Sequence, residues 1–314
     1  MRIFRHFENL PVEARGASVA VGNFDGVHLG HRAVINEAGR IAHDAGVGWS
    51  VLTFEPHPRS VFVPGGDPFR LTPFRTKARH IEEMGVDNLI VLHFDPKFAA
   101  LSPDDFVSRV LVGGLGACHV ISGYDFVFGH KRAGNCELLL RKGQEMGFDF
   151  TCVSAVDDGE DVYSSTRVRD CLRNADPRTA AGVLGRPFEI EGRVEHGDGR
   201  GSSIGFATAN LHLGEYLHPA TGVYAIRAGI DEGMETRWND GAANFGKRPT
   251  FDGKDTILEV HLFDFDGDLY GRHLRVQLIE HLRPEKKFDG LDDLKAQIAL
   301  DCEQARRILA AEGK

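Results

Sequence analysis

Near residue 186 the hydrophobic period of the chain changes, and that change constrains the fold more than any single motif. Before it, short apolar runs alternate with segments of helical period: SVAVGNF (18–24), WSVLTF (49–54), NLIVLHF (88–94) and HVISGYDF (119–126). These runs are too short and too rich in β-branched residues to prefer helix. After the first run, HRAVINEAGRIAHDAG places Val34, Ala38, Ile41 and Ala45 on one helical face, and TPFRTKARHIEEMG is a second amphipathic segment. Strand and helix in alternation predict an α/β domain with a parallel sheet covered on both faces. Ligands of such sheets gather at the carboxyl ends of strands, where residues 22–31 would lie.

Beyond residue 186 the period is two. FEIEGRVEHG, GVYAIRAGI, TILEVHLFDF and HLRVQLIEH alternate apolar and polar positions and are separated by Gly, Asp and Pro turns. That pattern predicts an antiparallel β-barrel or sandwich. A closing helix carries Leu291, Leu294, Ile298, Cys302, Ala305 and Leu309 in one stripe suited to covering it. With 314 residues in the chain, two domains are expected, at 1–180 and 186–314. The joint falls at the loop-like RNADP and GRP between residues 170 and 187.

The chain has 46 acidic and 37 basic residues, a net charge of −9. This argues against a nucleic-acid or membrane-surface binder driven by charge. No apolar run approaches the ~18 residues of a membrane span, and MRIFRHFENLPVE lacks the apolar core of a signal peptide. A cytoplasmic protein is expected, with the five cysteines, scattered and without a CxxC pair, as reduced thiols holding no structural zinc.

The stretch GNFDGVHLGH ends the first run. Glycine at position 30 lets a phosphate approach the backbone at the start of a helix, where free N–H groups and the helix dipole favour an anion. His28 and His31, three apart, would face that anion and stabilise charge developing in phosphoryl chemistry. Surface donors, or metal ligands completed by His43 or His57, are the alternatives that the spacing leaves open. The stretch is similar to the HxGH signature of nucleotidyltransferases. With Phe24, Asp25 and Gly26 it resembles the FMN adenylyltransferase half of the bacterial bifunctional riboflavin kinase/FAD synthetase family. A second family motif is matched by YSSTRVRDCL (163–172).

The resemblance implies that His28 and His31 are catalytic. It implies that Gly22, Phe24, Gly30, Ser164, Ser165, Thr166, Arg167 and Arg169 bind ATP and its phosphates. TFEPHPRSVF (53–62) and GYDFVFGHKRAGN (123–135) are also similar to the family. There the resemblance implies flavin contacts from Phe54, His57, Phe62, Asp125 and Phe128, although Phe54, Phe62, Phe126 and Phe128 read individually as core.

In the second half, GRGSSIGFATANL (199–211) resembles the riboflavin kinase motif, in which a glycine-rich turn covers the ATP phosphates. Gly201 and Gly205 would form that turn, and Thr208 and Asn210 would supply hard oxygen ligands to Mg²⁺. NFGKRPTF (244–251), LEVHLFDFDGDLYG (258–271) and HLRPEKKFDGLDDLKAQIALD (281–301) follow in family order. Glu259 then occupies the position of the catalytic base, taking the proton of a ribityl hydroxyl. Two positions depart from the pattern: Ser202 stands where the family usually has a basic residue, and Ala207 where it has proline.

The resemblance therefore implies ATP-dependent phosphorylation of riboflavin to FMN and adenylylation of FMN to FAD, by a monomer or weak homo-oligomer whose partners are these small molecules. An FAD synthetase with a weakened or silent kinase half, or a regulatory flavin- or nucleotide-binding protein on the same fold, stays open at this level.

Overall fold

A computed structural model describes residues 1–195, 206–232, 235–250 and 253–312, with the backbone alone at 247–250 and 253–255. The chain forms two compact units, residues 1–67 with 72–164 and residues 68–71 with 165–314.

In the first unit six strands form one sheet: β1 (Arg2–Phe4), β2 (Ser18–Val21), β3 (Trp49–Glu55), β4 (Asn88–His93), β5 (His119–Gly123) and β6 (Asp149–Val153). Their order is β1-β4-β3-β2-β5-β6 and every pairing is parallel. Alternation along each strand feeds two cores. Ala20, Val51, Leu89, Val91 and Ile121 meet Val34, Ile35, Ala38 and Ile81 in one cluster. Val19, Val21, Leu52, Ile90, Leu92 and Val120 meet Phe106, Val110, Leu111 and Leu139 in another.

The helices of the first of these cores are α1 (Leu29–Ala45) and α3 (Phe74–Glu82). A short α2 (Pro58–Phe62) lies between them in the chain. The expected face of α1 turns slightly: Val34, Ile35, Ala38 and Ala42 are buried, while Ala45 is exposed in the last turn before the left-handed Gly46 cap.

The chain runs from β2 to β3 and β4 on one side and then crosses to β5 on the other. The switch point of the sheet therefore lies at the carboxyl ends of β2 and β5, followed by loops 22–28 and 123–128.

The second unit begins with helices Ser165–Arg173 and Pro177–Leu184, where a loop-like joint was expected. The physical reason is local. Asp176 accepts the Thr179 N–H as an N-cap, Pro177 suits the first turn, and Gly185 ends the helix in the left-handed region.

Six strands follow: β7 (Phe188–Arg193), β8 (Ala209–His212), β9 (Gly222–Glu232), β10 (Glu235–Thr250), β11 (Gly253–Leu262) and β12 (His273–Arg283). They pair antiparallel in the order β7-β12-β9-β10-β11-β8. The Glu195 N–H donates to the Asn210 carbonyl at 3.0 Å, so the chain just past β7 bridges to β8 and the sheet is curled into a half-barrel.

The terminal helix Leu291–Glu312 packs Ala305 and Leu309 against Ala225, Ala242 and Ile279. Its expected stripe holds only in the later turns, since Leu291 is exposed. Asp301 is buried beside it, where Arg283 grips the carboxylate through two nitrogens at 2.9 and 2.7 Å.

Candidate active sites

The loop after β2 is built against local backbone preference. Phe24 has φ of 50° and Val27 has φ of 43°, in the left-handed region that bulky and β-branched side chains avoid. Each such residue costs on the order of 1–3 kcal/mol and persists only where its surroundings over-determine it. Here both side chains are driven into the core, 2% and 1% exposed. Buried Asp25 accepts the Thr72 N–H at 3.0 Å, and the Thr72 hydroxyl accepts the Gly26 N–H at 2.8 Å. Thr53 Oγ1 donates to the Asn23 carbonyl at 3.1 Å. The loop is thus held open from β3 and from the segment before α3.

The strained turn delivers His28 to the N-cap of α1. Its Nδ1 accepts the His31 backbone N–H at 3.3 Å, which places the ring proton on Nε2 and makes that atom a donor. The His28 and His31 rings stack with centroids 3.6 Å apart, and Phe24 sets its edge against His31 at 5.4 Å. A Cβ at position 30 would stand 3.1 Å from the Tyr163 carbonyl oxygen and 3.2 Å from the His28 ring, so glycine clears this corner. A Cβ at position 22 would lie 2.9 Å from the Phe24 ring. Gly22, Phe24, His28, Gly30 and His31 are therefore gathered at the switch point of the sheet.

The aromatic residues near the same strand ends form one continuous band. Phe62 meets Phe94, which meets Phe54 and Phe98; Phe106 touches Phe54, Phe98 and Phe128; and Phe128 stacks on Phe126, with centroids 5.1–6.4 Å apart throughout. Phe54 and Phe128 are buried, whereas Phe62 is 65% exposed at one end of the band. Sequence reasoning missed Phe94, Phe98 and Phe106, which sit at a strand end and on helices remote in the chain. His57 caps α2, its Nδ1 accepting the Arg59 N–H at 3.1 Å. Asp125 is exposed in the loop after β5.

Ser164 closes the first unit, while Ser165, Thr166, Arg167 and Arg169 lie on the first helix of the second. Arg169 lies against Phe69, donating from Nε to its carbonyl at 2.9 Å with the guanidinium over the ring.

In the barrel, strand register brings three polar residues into one row. Asn210 on β8 stands opposite Glu259 on β11, and Glu259 stands opposite Asn244 on β10. Opposed residues share a face, and buried Leu258 and Val260 turn Glu259 to the face opposite theirs. Thr208 lies one residue before β8, two positions from Asn210. Asn244 was missed because its type is ordinary within NFGKRPTF; only the pairing singles it out.

Asn210 is 4% exposed, and its Oδ1 has no hydrogen-bond partner among the described residues. A buried amide oxygen without a donor is costly to the empty protein and is suited to a hard cation. The orphaned Asn210 oxygen would fit Mg²⁺, which the Thr208 hydroxyl nearby in the chain could also ligate. Gly201, Ser202 and Gly205 lie outside the described residues. Ala207, in place of the family's proline, has a substitute tether: its carbonyl is 2.9 Å from His261 Nδ1, and the His261 ring meets Phe206 edge-on at 5.5 Å.

A parallel sheet with paired histidines at its switch point, followed by a curled antiparallel half-barrel, defines a nucleotidyltransferase domain of the HxGH type joined to a barrel of the riboflavin kinase type. The family model described as FAD synthetase matches residues 10–167, and that described as riboflavin kinase matches 184–309. The bifunctional riboflavin kinase/FMN adenylyltransferase of Escherichia coli K12 is 42% identical over 302 residues, 96% of each chain. The protein of the same description from Pseudomonas fluorescens is 43% identical over 99% of this chain and 98% of its own. A solved structure from Streptococcus pneumoniae, described as a macrolide-efflux protein, matches with TM-score 0.85 at 30% identity, covering 97% of this chain and 98% of that one. The chain belongs to the bifunctional riboflavin kinase/FMN adenylyltransferase family.

Proposed function

We propose that the chain is a bifunctional transferase that makes FMN from riboflavin in residues 186–314 and FAD from FMN in residues 1–180. The observation that carries the kinase half is the row Asn210–Glu259–Asn244 beside Thr208. Glu259 takes the proton of the ribityl hydroxyl as its oxygen attacks the γ-phosphorus of ATP, and ADP leaves. Bound Mg²⁺ would neutralise phosphate charge in this site. Thr208 and Asn210 would hold it, Gly201 and Gly205 would form the turn over the phosphates, and His261 would steady the segment that aims Thr208.

In the other half an FMN phosphate oxygen attacks the α-phosphorus of ATP and pyrophosphate leaves. That nucleophile is already ionised at neutral pH, so no general base is required. His28 and His31 act as N–H donors to the phosphate oxygens at the start of α1, with Gly22, Phe24 and Gly30 giving room for the nucleotide. Ser164, Ser165, Thr166, Arg167 and Arg169 supply further donors and charge to the triphosphate. Phe62, at the exposed end of the phenylalanine band, offers the flavin ring a stacking face, with Phe54 and Phe128 behind it and His57 and Asp125 as polar anchors.

The protein would work in the cytoplasm on small molecules, without nucleic acid or membrane, as a monomer or weak homo-oligomer. Among the described residues no helix is long and apolar enough to cross a membrane.

Chromatographic analysis of products from riboflavin, and separately from FMN, with ATP and Mg²⁺ tests the reading. The wild type should give FMN and FAD from riboflavin. His31→Ala should depress FAD formation and spare FMN formation, and Glu259→Gln should do the reverse. Equal loss of both products in either variant would overturn the assignment.

A further inference from the structure

Two cysteines outside the proposed chemistry face each other beside the switch point. Cys136 opens the helix Cys136–Met146, and Cys152 lies exposed on β6. Their sulfurs are 2.8 Å apart, against about 2.05 Å in a disulfide, so a small movement joins them. The Cys136 sulfur also lies 3.4 Å from the Gly123 carbonyl oxygen, 3.9 Å from that of Tyr124 and 3.6 Å from Ser122 Oγ. These residues lead directly into the loop that carries Asp125.

We propose that Cys136 and Cys152 are a reversible thiol–disulfide pair that low-molecular-weight disulfides, such as glutathione disulfide, close, and that closure slows FMN adenylylation. The second clause rests on reading the first unit as the adenylyltransferase; the first does not. The Cys136 thiolate attacks one sulfur of the oxidant and expels a thiolate. Cys152 then gives up its proton and attacks the Cys136 sulfur, expelling the second. Two protein thiols are oxidised, one small disulfide is reduced to two thiols, and the protein loses two hydrogens.

Desolvation beside Cys136 pushes the Cys152 thiol up to about 12, which keeps it protonated until the mixed disulfide has formed. Closure removes the S–H donor that faces Gly123 and draws the start of the helix onto β6. The loop at the carboxyl end of β5 must adjust to both changes.

The test is a peptide map of the full-length protein treated with glutathione disulfide, alkylated and digested with trypsin. Cleavage at Arg132, Arg141, Lys142 and Arg167 separates peptide 133–141 from peptide 143–167. The expected result is that these two travel as one species, which dithiothreitol splits, while Cys118, Cys171 and Cys302 are recovered alkylated. FAD formation from FMN should fall several-fold in the oxidised protein and return with dithiothreitol, with FMN formation from riboflavin unchanged. Cys136→Ser should be insensitive to the oxidant, whereas Cys152→Ser should stop at the mixed disulfide, with glutathione held on Cys136 and no joined peptides.

In the wild type, absence of the joined species, or glutathione retained on a single cysteine, would overturn the pair. A joined species with unaltered FAD formation would overturn its coupling to the site. A reduced protein that makes no FAD at all would fail the functional reading instead, and the peptide map would still decide the disulfide.

Discussion

Replacing Asn210 with leucine should stabilise the protein while destroying its kinase activity. The buried Oδ1 of Asn210 has no hydrogen-bond partner among the described residues, so the folded apoprotein bears a desolvation cost of about 1–3 kcal/mol that the unfolded chain, solvated there, does not. Leucine has nearly the same branched shape and lacks the polar atom. Asn210→Leu removes most of that cost with little change in volume, for a net gain of about 1–2 kcal/mol. At roughly 2–4 °C per kcal/mol, the melting midpoint rises by about 2–8 °C.

Circular dichroism melting of the full-length variant beside the wild type reads this directly. The same variant should make no FMN from riboflavin while converting FMN to FAD at the wild-type rate. MgADP should stabilise the wild-type barrel, by about 2.7 kcal/mol at a hundredfold excess over its Kd for that site, and the variant should lose this part of the shift while keeping any that comes from the site at α1. A variant that melts several degrees lower would refute the reasoning by showing that the protein itself satisfies the amide oxygen, and one that still phosphorylates riboflavin would refute it by showing that the oxygen is no required ligand.

The remaining expectations concern the other strained or tethered points. Gly30→Ala gains about 0.5–1 kcal/mol of helix preference but sets its Cβ 3.1 Å from the Tyr163 carbonyl and 3.2 Å from the His28 ring. Its melting midpoint should therefore stay near that of the wild type while FAD formation from FMN falls by about tenfold or more, as steady-state rates will show. His261→Ala frees the Ala207 carbonyl and should lower kcat/KM for riboflavin phosphorylation by about five- to tenfold, the worth of one hydrogen bond near 1 kcal/mol, without affecting adenylylation.

The Glu83 carboxyl is held down at about 2, from an ordinary 4.5, chiefly by its hydrogen bond with His80. A carboxyl depressed on folding stabilises the native state above pH 4.5, and the contribution fades as pH falls toward 2. Glu83 is 53% exposed, so the effect is screened to about 1 kcal/mol or less. Glu83→Gln should accordingly be less stable than the wild type near pH 5.5 and equal to it near pH 2, by urea titration at the two values.

The first half of the fold was legible because buried parallel strands announce themselves as apolar runs: β2, β4 and β5 fall within the expected stretches, and β3 overruns its own by one residue, Glu55. β1, three residues at a sheet edge, carries too little pattern to register. β10 was hidden for a different reason. Asp240, Gly241, Ala242 and Ala243 break the alternation, and pairing with β9 and β11 on both sides holds the strand regardless. The helix Pro177–Leu184 was read as a joint because ADP looks like a turn, although Asp before Pro is also how a helix begins.

The histidine pair was legible from residue type and spacing, but its expected part in phosphate chemistry was singled out only by the resemblance of GNFDGVHLGH and YSSTRVRDCL to the family. The supporting contacts were not legible. Thr72 reaches Asp25 across 47 positions, and Asn244 and Asn210 flank Glu259 only through strand register.

The two candidate sites share a physical signature that fold class does not require. In the α/β unit it is backbone strain, with Phe24 and Val27 forced into the left-handed region so that His28 can cap α1 and stack on His31. In the barrel it is the buried Asn210 amide oxygen, which has no hydrogen-bond partner among the described residues. Each is a place where the chain keeps a local conflict that a sequence shaped for stability alone would relieve, and each coincides with residues proposed to meet a phosphate or its cation. Strain and orphaned polarity are both costs of the empty state, and a ligand can offset only the second directly. Mg-nucleotide binding should therefore raise the stability of the barrel by supplying the missing partner at Asn210. Binding at α1 should stabilise the first unit only through new contacts, because the turn at 24–27 stays strained whether or not the site is filled.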